Sequence, residues 1–179
     1  SLNNQYQGSQ IINNASNLSG VSTKDFIFIQ QLAAIDIENA NKTGGVVAEV
    51  YKNAQAGDYV LGYQEKMIIY RSEENKIIYN DYTPAKKISL KEQEIINNVT
   101  TQAKALDLVS QDSQEIPTIS MVDEKTANSY KQKDSEFYGS LKANDFIAIF
   151  SDTQAILLYR QEGNQVLNSG KYSTNITRN

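Results

Sequence analysis

The 179-residue chain contains neither cysteine nor histidine. Their absence excludes thiol nucleophiles, thiolate or imidazole zinc sites, and every Ser–His or Cys–His relay. A catalyst built from this chain would have to use carboxylates, Lys, Tyr, Ser or Thr. Lack of cysteine also leaves the compartment open, because a disulfide-free protein is compatible with either side of a membrane. No apolar run approaches the roughly 20 residues that span a bilayer, and no signal-peptide core precedes the first polar stretch. The opening SLNNQYQGSQ reads as the start of a trimmed or mature chain, so an export signal or anchor upstream is compatible with it. Lys and Arg number 17 against 21 Asp and Glu, for a net charge of −4, and they are scattered in ones and twos. No basic stripe exists to neutralise a phosphate backbone, which argues against nucleic acid as a partner. No cofactor or metal motif is present.

What the chain does contain is a repeat. A shift of 87 positions lays LAAIDIENAN (32–41) on ISMVDEKTAN (119–128), with Asp36 on Asp123, Ala40 on Ala127 and Asn41 on Asn128. The same shift puts Glu49, Tyr51, Ala56 and Asp58 on Glu136, Tyr138, Ala143 and Asp145, and Tyr59, Val60 and Tyr63 on Phe146, Ile147 and Phe150. After a two-residue insertion, Tyr70, Arg71, Glu73 and Asn75 meet Tyr159, Arg160, Glu162 and Asn164; upstream, IINN at 11–14 meets IINN at 95–98. Ordered matches that preserve apolar phase indicate two tandem units.

Each unit is expected to open with a helix. In the second, Ile95, Val99, Ala103 and Leu106 form one stripe, with Ser89 and Glu92 placed for a capping box. In the first, Ile11, Ile12, Ala15 and Leu18 carry the stripe against the weak helix formers Asn13, Asn14, Asn17 and Gly20. A strand over FIFIQQLAAI or IPTISMV is expected to end at Asp36 or Asp123, followed by a polar connection. Next come short helices, EVYKNAQAG and EFYGSLKAN, that close on Gly57 and Asn144, the residues that most readily adopt a left-handed C′ cap. DYVLGY and DFIAIF alternate as strands, and MIIYR/KIIYN and AILLYR/QVLN supply two more around turns containing Asn75 and Asn164. The expectation is α+β: two tandem, pseudo-twofold related repeats, each a helix covering one face of a three- or four-stranded antiparallel sheet. The first repeat spans 8–83, a linker 84–91, the second repeat 92–170 and a tail 171–179.

Three constellations could carry chemistry. Asp58 and Asp145 could form a carboxylate pair for a hard cation or acid/base work, but an Asp beside a turn more often accepts backbone N–H groups. Asp36 and Asp123 sit where helix N-caps belong. Tyr70–Arg71 and Tyr159–Arg160 could grip a sugar, carboxylate or peptide, although neighbouring strand residues point to opposite faces, so Tyr packing inward and Arg covering the sheet is the structural alternative. Eleven tyrosines suit recognition surfaces and half-buried strands alike. Asn14, Asn17, Asn41, Asn98 and Asn175 form glycosylation sequons, read as chance in so Asn-rich a chain.

PTISMVD (117–123), ANDFIAIF (143–150) and AILLYR with Asn164 resemble a pattern in uncharacterised surface-anchored proteins of candidate-phylum bacteria. In these, a membrane helix and helical stalk precede a small domain with a Gly-Asp strand and an Ile-Leu-Tyr-Arg-Pro strand, usually ending in Asn-Lys-Ile. Asn75, Lys76 and Ile77 match that ending. Ser72 and Gln161 stand where the pattern has proline, and Gln30 replaces Pro117 in the first copy. The resemblance implies an extracytoplasmic, cell-surface module, with any membrane contact made through an anchor outside this chain; it carries over no catalytic residue. The resulting expectation is a non-enzymatic structural or protein-interaction module of the cell envelope, with a protein partner or itself as ligand. The alternative is a glycan- or peptide-binding domain using the tyrosines and Arg71 or Arg160 at the seam between the repeats.

Overall fold

The computed structural model describes residues 2–173; the sequon at Asn175 and most of the expected tail lie outside the described residues. The chain divides into two compact units, one ending at Leu90 and the next beginning at Lys91. In the first, α1 (Leu2–Ser19) and a 3-10 turn (Thr23–Asp25) lead into β1 (Phe26–Gln31), α2 (Ala34–Thr43), α3 (Gly45–Tyr51), β2 (Tyr59–Tyr63), β3 (Lys66–Arg71) and β4 (Lys76–Tyr82). α4 (Pro84–Ala105) runs across the boundary, and in the second unit it precedes β5 (Thr118–Met121), α5 (Glu124–Lys133), α6 (Ser135–Tyr138), β6 (Phe146–Phe150), β7 (Ala155–Arg160) and β8 (Gln165–Lys171). Each unit holds one antiparallel sheet, in the orders β1-β2-β3-β4 and β5-β6-β7-β8. The fold is α+β, with the same sheet pattern occurring twice.

Both faces of each sheet are covered, not one. In the first unit Ile11, Ile12 and Ala15 of α1 pack on Leu61, Ile68 and Tyr70, while Ile37 of α2 and Val50 of α3 pack on Val60, Met67 and Ile69. In the second, Ile95, Val99 and Ala103 of α4 meet Ala148, Leu157 and Tyr159, and Ala127, Phe137 and Leu141 meet Ile147 and Leu158. The physical reason lies in β3 and β7: Met67 to Tyr70 and Leu157 to Tyr159 are buried consecutively, without the polar alternation that a one-sided sheet requires.

The covering helices α2 and α5 replace the expected polar connection. Each buries a single residue outright, Ala40 or Ala127, so the apolar signal is slight. Their starts are secured by carboxylates. Asp123 is the N-cap of α5 and accepts from the Thr126 N–H at 2.7 Å, whereas Asp36 lies inside α2 and accepts from the Ala33 N–H at 2.8 Å. The two aspartates therefore satisfy the same helix terminus from different positions. Ala33 is the counterpart of Asp123, and the correspondence here is three residues away from that expected. β1 agrees, because Gln31 pairs with Tyr59 as Met121 pairs with Phe146. β1 ends at Gln31, before Ala34 opens α2, and does not run on to Asp36.

Other boundaries shift for local reasons. α4 starts at Pro84, with Thr83 Oγ1 accepting from the Lys86 N–H at 3.2 Å, because proline suits the first helical position and threonine the cap. Residues 84–91 are therefore helical, and Ser89 and Glu92 lie within the helix and form no capping box. Leu106 falls beyond the end of α4 and, like Leu18, is about half exposed. α3 ends at Tyr51, so Gly57 (φ 93°) is not its C′ cap; like Asn144 (φ 74°) it forms a turn immediately ahead of β2 or β6.

One cross-strand pair differs in size between the units. Phe28 stands opposite Gly62, and Thr118 opposite Ile149. A Cβ on Gly62 would overlap the Phe28 ring. Gly62→Ile should therefore destabilise the chain by about 1–3 kcal/mol through overpacking, and Phe28→Thr in the same molecule should recover most of the loss in urea unfolding. The four-residue β6–β7 turn is tethered separately, by Glu115 accepting from the Asp152 N–H (2.7 Å) and the Thr153 hydroxyl (2.5 Å). Partial burial opposes ionisation of Glu115, but these bonds together hold its pKa below the usual carboxylate value. The stabilisation is thus complete above the unfolded-state pKa and is lost as pH falls through the lower folded-state value. Glu115→Gln should flatten that part of the acid limb of a stability–pH profile.

Candidate functional site

β3 and β7 both end in the dipeptide Tyr-Arg, and strand alternation sends the two side chains to opposite faces. Tyr70 and Tyr159 enter the core beneath α1 and α4 and are at most 1% exposed. Their hydroxyls donate to Asn75 Oδ1 and Asn164 Oδ1, each at 2.7 Å. Those asparagines occupy the left-handed positions of the following turns, with φ of 46° and 48°. Asn98 of α4 also donates its side-chain amide to the Tyr159 hydroxyl at 3.3 Å, so this sequon is engaged in packing.

The arginines turn to the other side and meet the aspartates. Arg71 Nε donates to Asp58 Oδ1 at 2.8 Å and Nη2 to Oδ2 at 3.0 Å; Arg160 does the same with Asp145, at 2.8 Å for both bonds. Each carboxylate accepts one further bond, from the Gln55 N–H at 2.8 Å or the Lys142 N–H at 2.7 Å. Each guanidinium also reaches a backbone carbonyl, that of Asn53 at 3.3 Å or Ser140 at 3.0 Å. Asp58 and Asp145 are 2% exposed. The hydrogen bond to the carboxylate raises the pKa of both guanidiniums, outweighing their own desolvation. The backbone of the same aspartates closes the junction to β1 and β5, since the Leu32 N–H donates to Asp58 O at 2.8 Å and the Val122 N–H to Asp145 O at 2.9 Å.

The arrangement is a planar, bidentate fork of the kind arginine forms with carboxylates, and it lies within each unit. Treating Asp58/Asp145 and Arg71/Arg160 as separate constellations missed it; the signal available was the joint recurrence of both residue types in the repeat. Tyr70 and Arg71 do not share a site, and neither do Tyr159 and Arg160. Among the described residues, no group of three or more Asp or Glu side chains is placed to hold a metal ion, and no helix is long and apolar enough to cross a membrane. No family model matches the chain, and neither a curated protein nor a solved structure matches it.

A buried carboxylate that loses its fork is left charged and unpaired. Arg160→Met should accordingly destabilise the chain by about 3–5 kcal/mol, and Asp145→Ala, which leaves a partly exposed guanidinium, by less, both read as a lower urea midpoint. Retention of full stability in either variant would return these residues to the pool of candidate ligand-binding groups.

Proposed function

We propose that the chain is a non-enzymatic structural or protein-interaction module of the cell envelope, acting outside the cytoplasm, and that its two units descend from one by duplication. The observation that carries the non-catalytic reading is the repeated fork. Asp58 and Arg71, like Asp145 and Arg160, are bonded to each other and to the backbone, so the one recurrent Asp–Arg constellation is engaged within the fold. The recurrent Tyr–Asn bonds have the same character. Duplication is supported by the common sheet order and by the fork bonds, which match partner for partner. The extracytoplasmic location rests on the sequence resemblance to surface-anchored proteins.

The test is photo-crosslinking of the full-length protein on intact host cells, with the crosslinker at exposed positions such as Tyr6 and Ile116, which are 70% and 76% exposed. Covalent capture of envelope proteins, or of a second copy, is the expected result. Recovery of cytoplasmic proteins alone would overturn the assignment.

A further inference from the structure

The two units share a frame but differ beside their first strands. In the first unit a groove of about 330 Å³ runs between β1 and α2, with Phe28 and Gln30 on one wall, Asn39 and Thr43 on the other, and Ala40 in the floor. Ala40 is the seventh residue of the ten-residue α2, and Tyr130 is the seventh of the ten-residue α5. The helix-ending bonds confirm the equivalence, since the Gly44 N–H donates to Ala40 O as the Asp134 N–H donates to Tyr130 O. In the second unit the Tyr130 ring lies against Tyr138, with centroids 4.9 Å apart. Tyr138 matches Tyr51, which lines the groove in the first unit. The alanine leaves open in one unit what a tyrosine ring occupies in the other.

The strand along this groove is an edge. β1 pairs only with β2, and its sequence FIFIQQ carries neither charge nor proline. Apart from an irregularity between Phe26 and Phe28, it has none of the devices that protect sheet edges from added strands. Ile27 is 62% exposed and Phe28 47%. By contrast β5 has four residues and follows Pro117, and β4 carries Lys76 and Asp81. An unpaired edge beside a helix, with a pocket between them, is the geometry in which an extended peptide adds as a further strand: its main chain bonds the edge and alternate side chains enter the groove.

We infer that the groove between β1 and α2 binds an extended peptide by strand addition, with an apolar side chain over Ala40 and a lysine or arginine toward Asp36. Among the described residues, Asp36 is the only charged one lining the groove, so charge complementarity selects a basic side chain over an acidic one. The inference rests on the interaction reading above and gives it a site and a partner chemistry.

The test uses the full chain and three labelled octapeptides: one with valine and lysine in turn at every second position, Thr-Val-Thr-Lys-Thr-Val-Thr-Lys, so that both enter the groove; the same sequence with glutamate for lysine; and the lysine peptide N-methylated at alternate amides. The lysine peptide should bind saturably in fluorescence anisotropy and shift the backbone amide resonances of residues 26–31. Ala40→Tyr should weaken it by roughly tenfold or more. Asn39→Lys, on the exposed helix surface, should also weaken the lysine peptide, through like-charge repulsion. N-methylation should abolish binding, and the glutamate peptide should bind more weakly than the lysine one. If Ala40→Tyr loses its fold, judged by circular dichroism, Asn39→Lys and the methylated peptide decide the question with the frame intact. Absence of saturation up to about 1 mM, or equal binding by a folded Ala40→Tyr, would overturn the assignment. So would a dimer of the chain that Ala40→Tyr dissolves, because the groove would then belong to a second copy. Crosslinks to envelope proteins that persist unchanged in Ala40→Tyr would sink the groove and leave the interaction reading standing. Peptide binding by a chain that crosslinks only cytoplasmic proteins would do the reverse.

Discussion

A carboxylate that is 2% exposed survives in a protein interior only if its charge is paired and its oxygens are hydrogen-bonded, and the arginine fork, with one backbone N–H, does both. The desolvation of Asp58 or Asp145 is large enough that no arrangement leaving the acid unpaired competes with the native one. The consequence is geometric. Arg71 comes from the end of β3 and Asp58 from the turn ahead of β2, so closing the fork fixes where one strand stops relative to where its neighbour starts. The backbone of the same aspartate bonds Leu32, which adds the exit from β1 to the constraint. Tyr70, one residue earlier on β3, does the equivalent on the opposite face by holding Asn75 in the hairpin turn. Two adjacent residues thus tie one strand end to both layers of the unit.

Constraints of this kind leave the rest of each unit free to differ, provided that volume is conserved. Phe28 against Gly62 and Thr118 against Ile149 are two ways to cover the same patch of sheet, a large residue on the edge strand or a large one on its neighbour. Tyr63 keeps a buried hydroxyl that no protein group bonds, and burial raises its pKa; Phe150 at the matching position has no hydroxyl to desolvate. α3 has seven residues and α6 four. That difference absorbs the offset introduced ahead of it and returns the two chains to register before the fork.

This explains which parts were legible in the sequence. Strands β2, β3, β6 and β7 and the turns at Asn75 and Asn164 stand near the fork, where register is held and identity persists, so matching residues recover them directly. α2 and α5 are held by tertiary contacts over little apolar surface, and their Asn- and Lys-rich faces carry the composition of a loop. The three-residue error in aligning them was invisible for a physical reason: a slip of three along a helix returns nearly to the same face, so Ala40 over Ala127 looked as consistent as the true partner, Tyr130. Coverage of both sheet faces was readable from MIIY and ILLY, whose unbroken apolar character has no solvent side. The fork itself joins residues 13 or 15 apart on different elements, beyond what local pattern reveals.

Differences within a shared frame also bear on the proposed interaction role. Residues that close the fork and the hairpin turns have their hydrogen-bonding groups engaged within the fold. Under the proposed interaction role, discrimination among partners falls to positions that differ between the units at a common backbone path. Two such differences, Ala40 for Tyr130 and Phe28 for Thr118, lie on the same groove beside β1, a six-residue edge strand without charge or proline. A large edge residue could have been accommodated by closing the space beneath it, as the tyrosine does in the second unit. The first unit instead combines the exposed ring with the small floor, and that combination leaves the edge open along the groove. Such an opening carries a standing hazard of unwanted strand pairing, and the proposed peptide partner would account for its being kept open.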